Sequence, residues 1–260
     1  MILLLPPSET KKSGGIEASE TWLELLAFEQ LLSIRKRAIE ALAKLSAMPD
    51  AARKLKVPAR NLNDLVENQQ LAQKPLLLPA IDRFDGVLFD ALHDRGLKGS
   101  ATEFNQLDLS RLGPNEVYLH TAIFGLIDLF DEIPNFRFTA GTALPGFSQL
   151  DWRSEHDPVW QSIATAGQDL IVDGRSSSYA KLAPVSQGLE TIYLNVVSED
   201  PSGVRRALNH FNKKAKGQFA RAWLLYPAKL EDRKQLIEIA SLAGLKAELT
   251  PGVLTLIAKP

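Results

Sequence analysis

Every apolar run in this chain is cut short by a charge or a proline, and none approaches the ~18 to 20 uninterrupted residues that a membrane-crossing helix requires. The opening Met1-Ile2-Leu3-Leu4-Leu5 stops at Pro6-Pro7 with no basic region before it, far short of a signal-peptide core, and reads as a buried first strand. Runs rich in β-branched and aromatic residues recur at 116–121, 169–172, 191–197 and 253–257 and are expected as strands. Helical spacing marks one long amphipathic helix from a Thr21/Glu24 capping-box pattern to Met48, then shorter helices at 50–56, 63–73, 80–92, 160–166, 204–226 and 233–242. Helices and strands therefore interleave without a clean βαβ rhythm, which predicts a mixed α/β (α+β) fold with its sheet flanked by helices.

No Gly/Ser/Pro linker or internal repeat divides residues 1–260, so a single domain is expected. The chain is long enough to bury a core without staples, and it has no cysteine, which excludes disulfides, thiolate zinc sites, Fe–S clusters and thiol nucleophiles. That composition fits the reducing cytoplasm.

Charge distribution gives the sharpest functional signal. Between residues 204 and 226 stand Arg205, Arg206, Lys213, Lys214, Lys216 and Arg221 with no acidic residue, in a chain whose net charge is −1, which leaves −7 on the remainder. On a helical projection Phe211, Ala215, Phe219 and Ala222 share one stripe while Arg206, Asn209, Lys213 and Lys216 project from the other side. Gly217 costs ~1 kcal/mol inside a helix unless something approaches its backbone. An acid-free basic face leaves its repulsion uncompensated unless an anion or another element neutralises it. Two loops after buried strands could join that face, Ser8 to Lys12 and Asp173-Gly174-Arg175-Ser176-Ser177-Ser178-Tyr179, since hydroxyls, amides and lysines hold phosphate oxygens. Serine-rich turns and basic helix faces are also ordinary solvated surface.

Catalytic templates are missing. The chain has no G-x-G-x-x-G, G-x-x-x-x-G-K-[ST] or G-x-S-x-G, and S-x-x-K occurs three times, which makes it uninformative. His93, His120, His156 and His210 lack metal-ligand spacing, so neither a metal nor a cofactor is expected; Glu155-His156-Asp157 reads as a turn before Pro158.

Several patches, taken in order, resemble the YaaA peroxide-stress protein family. Leu3 to Lys11 resembles the family's opening, and Phe84-Asp85-Gly86-Val87-Leu88-Phe89-Asp90-Ala91-Leu92 its "G-x-x-Y-x-x-L" patch. Residues 122–128 through 136–141 resemble "SGLYGLLRP…PYRLEMG", Ser176 to Tyr179 resembles "SDEY", and His210 to Gly217 resembles "YAKKARG". The chain departs from the family's pattern at Glu9, Asp128-Leu129, Asn135 and Ser178. The resemblance implies one mixed α/β domain with a positively charged cleft, binding of duplex or distorted DNA, a helix-hairpin-helix element, and a cytoplasmic part in limiting iron-driven peroxide damage. It makes Ser8, Thr10, Lys11, Arg137, Ser176, Ser177, Tyr179, Asn209, Asn212, Lys213, Lys216 and Gly217 the cleft residues. The competing reading is an enzyme acting on a small phosphorylated or otherwise anionic metabolite in the same cleft.

Overall fold

The computed structural model describes residues 1–94, 107, 109–167, 170–200, 202–206 and 209–258, and at 149 and 209–211 the backbone alone. Eleven strands are present among them: β1 (Ile2–Leu5), β2 (Ile16–Glu17), β3 (Leu76–Pro79), β4 (Glu116–Thr121), β5 (Gly125–Asp128), β6 (Glu132–Pro134), β7 (Leu170–Asp173), β8 (Glu190–Glu199), β9 (Arg205–Arg206), β10 (Lys246–Thr250) and β11 (Val253–Ala258). The helices are α1 (Leu32–Ser46), α2 (Ala51–Lys54), α3 (Asn63–Gln70), α4 (Ala80–Arg83), α5 (Val87–Leu92), α6 (Gln149–Thr165), α7 (Ser177–Leu182), α8 (Asn209–Leu225) and α9 (Gln235–Leu242). None is long and apolar enough to cross a membrane.

The main sheet has the order β10-β11-β8-β7-β1-β4-β5 with β9 paired to β8, and β2-β3-β6 form a small second sheet. Strands β4, β1, β7, β8 and β11 run parallel, and β5 and β10 close the two ends antiparallel. The central strand reads Ile-Leu-Leu-Leu because it is buried on both faces, as parallel strands are. From β1 the chain moves out to β4 and β5, then returns to the far side of β1 for β7, β8 and β11. The loops leaving β1 and β7 therefore diverge at the carboxyl edge of the sheet, the position where open α/β sheets bind ligands.

Helix α8 packs against β4, β8 and β11 on one face. Along β8 the side chains of Ile192, Leu194 and Val196 are buried there, while Tyr193 and Asn195 point the other way and stay exposed. On that second face α6 covers β4 through His156, whose ring lies 5.2 Å from that of His120.

The mixed α/β expectation holds, and five local expectations are corrected. The long helix from Thr21 becomes two 3-10 turns, Trp22–Leu25 and Glu29–Leu31, followed by α1, and Thr21 makes no cap. The cause is tertiary: Asp131 accepts from the Ala27 N–H at 2.9 Å, Arg35 donates to the Ala27 carbonyl at 2.7 Å, and Phe28 turns left-handed at φ 63°. The expected helix 80–92 breaks into α4 and α5 at Gly86, φ 103°. His156 is not in a turn but inside α6, which starts eleven residues before residue 160 on a true capping box of Ser148 and Asp151 and carries Pro158 on its exposed side. The stretch 204–226 is a short strand, β9, before α8, so Arg205 and Arg206 leave the helix, and Leu208 and Asp169 of the expected elements lie outside the described residues. Strand β10, Lys-Ala-Glu-Leu-Thr, carries no apolar run and forms at an edge.

Gly217 is explained by packing rather than by a ligand. A Cβ there would fall 2.1 Å from the Leu88 carbonyl oxygen of α5 and 2.8 Å from the Ala91 Cβ, so the glycine lets α5 and α8 touch. Gly217→Ala is therefore expected to destabilise by about 1–3 kcal/mol, the overpacking cost outweighing alanine's ~1 kcal/mol gain in helix propensity. Denaturant unfolding checks this: a lower midpoint at unchanged slope is the expected result, and a raised midpoint overturns the packing account.

Candidate functional site

At the carboxyl edge the β1 and β7 ends are tied together by backbone. Gly174 donates its N–H to the Leu4 carbonyl at 2.8 Å, and any Cβ on Gly174 would lie 2.9 Å from that oxygen. One residue earlier, Asp173 closes a two-oxygen pair with Arg175, whose Nε and Nη2 donate at 2.9 and 2.8 Å. The same guanidinium donates through Nη1 to the Ala183 carbonyl and to His120 Nδ1, both at 2.9 Å. Because a guanidinium can only donate, His120 accepts at Nδ1 and carries its proton on Nε2. His156 in turn donates Nδ1–H to the Trp152 carbonyl at 2.7 Å. Burial, reinforced by Arg175, holds His120 well below the usual histidine range and brings His156 down to about 4, so both are neutral. Tyr179 lies with its ring 5.8 Å from His120, its hydroxyl pushed up to about 12 by burial.

The loop after β1 is held by buried Arg83, which donates to the carbonyls of Lys12 and Gly14 in that loop and to those of Leu76 in β3 and Ile133 in β6. Ser8 accepts from the Thr10 N–H at 3.3 Å, and its Oγ stands 3.5 Å from where a Cβ on Gly86 would be. The Lys11 amine lies 4.2 Å from the centre of the Phe136 ring and 5.4 Å from that of Phe84. Burial first, then the nearby Arg137 guanidinium, lowers it to about 7, against the opposing pull of Asp64 and Glu9. Arg137 is fixed through its backbone by Asn68 and reaches the Glu9 carboxylate at 3.7 Å.

The third segment arrives differently from its expected form. Lys216 does not project to solvent; it is 8% exposed, and its amine donates to the Gly174 carbonyl at 2.8 Å with Asp173 close by. Helix α8 runs antiparallel to the sheet, from Lys216 beside Gly174 to Trp223, which donates to the Glu116 carbonyl at the opposite edge. Its first turns, with exposed Lys213 and Lys214 and half-buried Asn212, therefore lie toward the carboxyl edge, beyond Gly174 of the β7 loop. The Asn209 side chain lies outside the described residues.

The six cations of 204–226 are thus divided rather than assembled into one basic face. Arg205 is neutralised by Glu199 at 2.8 Å and Glu248 at 2.5 Å, Arg221 donates to the Leu92 carbonyl, and Lys216 is internal. Lys213 and Lys214 have no ion pair among the described residues, nor does Lys12 in the β1 loop. The exposed hydroxyls of Ser176 and Ser178 bond each other at 3.0 Å, and Ser177 is exposed beside them. Among the described residues no serine is hydrogen-bonded to a histidine, and the groups exposed at this edge are hydroxyls and cations. Sequence reasoning missed the Asp173–Arg175–His120 connection and the Arg83 anchor; an Asp-Gly-Arg directly after an apolar strand was the available signal for the first.

Two clefts flank α7. One of about 320 Å³ is lined by Ala122, Phe138, Leu144, Trp152 and Leu182, and another of about 490 Å³ by Arg153, Ser177, Lys181, Tyr193 and Asn195.

Comparison with known proteins agrees with this end-to-end organisation. Residues 1–248 match the family model described as "Peroxide stress protein YaaA". The chain is 34% identical to the UPF0246 protein CE1889 of Corynebacterium efficiens over 97% of its own length and 96% of the relative's. It is 31% identical to a UPF0246 protein of Corynebacterium glutamicum, covering 96% of each chain. The UPF0246 protein SCO2297 of Streptomyces coelicolor is 27% identical over 95% of this chain and 92% of its own.

Two measurements check the site's architecture. Arg175→Met is expected to cost about 3–5 kcal/mol because it strands Asp173 as a buried unpaired charge, and adding Asp173→Leu to it should recover most of that loss. Acidification tests His156. Its folded value of about 4 lies below the ordinary ~6.5, so between these pH values only the unfolded chain binds the proton, and the stability present above ~6.5 is lost as pH falls toward 4. Asp128, raised to about 6 by burial, acts in the opposite sense, so the readout is the difference between wild type and His156→Gln, which should be the less acid-sensitive protein. Identical pH profiles of the two would remove the neutral buried histidine from the account.

Proposed function

Because the chain belongs to the YaaA peroxide stress protein family, we propose that it works in the cytoplasm by binding the phosphate backbone of duplex or distorted DNA at the carboxyl edge of its sheet, so limiting iron-driven peroxide damage. What supports this reading is the Lys216–Gly174 tie, which brings the start of α8 to the β7 loop, together with Lys213 and Lys214 on that part of the helix, exposed and free of ion pairs among the described residues. Lys216 and Arg175 act one layer below, fixing the loop's backbone instead of touching phosphate. Lys11 and Arg137 border the same edge, where Glu9 occupies Arg137. Contacts of this kind are tolerant of sequence, since hydroxyls, amides and lysines read phosphate rather than base edges.

The competing reading, an enzyme on a small anionic metabolite, draws on one observation: the Lys11 amine, brought to about 7 on an aromatic wall, is about half unprotonated at neutral pH and could serve as a base or nucleophile. A thermal-shift series with sugar phosphates tests it, because a ligand at 100 times its Kd adds ~2.7 kcal/mol of stability.

For the DNA reading, about four neutralised phosphates predict that log K falls against log salt with a slope of ~ −3 to −4. Lys213→Ala with Lys214→Ala should weaken binding across sequences and make that slope shallower by up to about two, roughly one for each lost phosphate contact. Fluorescence anisotropy on duplex and junction DNA at several salt concentrations reads both quantities; binding that ignores salt, or no binding at low salt, overturns the proposal.

A further inference from the structure

We infer that the 490 Å³ cleft between α6, α7 and β8 is a binding site for one nucleotide unit, its base stacked on Tyr193 and its phosphate held by Arg153 and Lys181. Three elements converge there. Tyr193 is 58% exposed on the face of β8 opposite α8, a large aromatic surface left open beside a polar strand face that continues with Asn195. Arg153 comes from α6 and Lys181 from α7; both are exposed, and neither pairs with a carboxylate among the described residues. The one acid lining the cleft, Asp173, has both carboxylate oxygens committed to Arg175, so the floor is neutral and the two peripheral cations remain uncompensated. Ser177 and Asn195 add a hydroxyl and an amide at the rim.

The combination selects a ligand with both a flat π-face and an anionic group. Base–aromatic stacking accepts any base, and a guanidinium and an ammonium suit a phosphate without reading its substituents. A volume of this size falls in the usual range of small-molecule sites, ~300–1,000 Å³. The site shares α7 with the proposed DNA edge but not Lys213 or Lys214, so the two assignments stand or fall separately.

Titration calorimetry on the intact chain with adenosine 5′-monophosphate, adenosine, inorganic phosphate and single-stranded oligothymidylate tests the inference. Adenosine 5′-monophosphate is expected to bind at least about tenfold more tightly than adenosine or phosphate alone. Tyr193→Ala should weaken it about five- to tenfold or more, as loss of one stacking contact does. Arg153→Ala with Lys181→Ala should bring it down to the level of adenosine, while Lys213→Ala with Lys214→Ala leaves it unchanged. All these positions are exposed, and an unchanged melting temperature confirms that the variants fold. If only oligothymidylate binds, with the same sensitivity to Tyr193 and to the cation pair, the site is a polymer's nucleotide subsite and the inference stands. No binding of any probe at millimolar concentration, equal binding of phosphate and adenosine 5′-monophosphate, or indifference to Tyr193→Ala each overturns it.

Discussion

A bidentate guanidinium–carboxylate pair sealed inside the protein, Arg175 on Asp173, fixes the geometry on which the whole carboxyl edge depends. Such a pair gains little net stability over well-packed apolar residues, but it permits only one arrangement of its neighbours. Here the neighbours are the end of β7, the carbonyl of Ala183 just beyond α7 and, from far earlier in the chain, the imidazole of His120 on β4. Lys216 completes the arrangement by drawing the first turns of α8 onto the Gly174 carbonyl. The exposed lysines of that helix are placed at the edge by an internal lysine that is itself unavailable to a ligand.

A buried guanidinium also organises two other stretches where the fold departs from regular structure. Arg83 gathers carbonyls from the β1 loop, β3 and β6, and Arg35 gathers those of Ala27, Phe124 and Leu126. Buried irregular backbone must find partners for its carbonyls, and a guanidinium with five donors supplies several at once. Desolvation lowers both guanidines to about 10, still far above neutrality, so they remain charged and keep donating. Each has an acid near it, Asp131 for Arg35 and Glu67 for Arg83, that offsets part of the cost of burial.

These three arginines also explain which parts of the architecture were legible in the sequence. Strands β1, β4, β7, β8 and β11 announce themselves through short runs rich in apolar and β-branched residues, which burial on two faces demands in β1 and β7 and burial on one face leaves alternating in β8. Strand β10 does not, because an edge strand with alternating exposure looks like surface. The stretch 21–31 has helical spacing but is bent by Asp131, over a hundred residues away, and no local pattern could reveal that contact. Lys216 misled for a related reason: the helical projection allowed for one buried stripe, whereas α8 is covered by both the sheet and α5, and Ala215, Gly217, Ala220 and Trp223 around Lys216 are all buried. Gly217 was legible as a demand for close approach; what approaches, the Leu88 carbonyl of α5, was not. The loops at the switch point were legible as a candidate site from strand ends and hydroxyls alone, whereas the ties that assemble them are side chain to backbone and leave no periodic trace.

A protein of net charge −1 gains almost nothing from overall electrostatic attraction to a polyanion, so any grip on phosphate must be local. At physiological ionic strength the Debye length is ~8 Å, and acids elsewhere on the surface are screened from a phosphate resting on Lys213 and Lys214. Local charge balance therefore decides, and it differs across the edge. Around Lys213 and Lys214 no carboxylate is paired among the described residues, whereas Lys11 and Arg137 have Glu9 and Asp64 within electrostatic reach. The β7 and α8 side of the switch point is accordingly the side whose exposed lysines are free of ion pairs among the described residues. The β1 side, with a lysine amine lowered to about 7 against phenylalanine rings, is the side where Glu9 competes with any anion for Arg137, and its occupancy should couple to the protonation of Lys11.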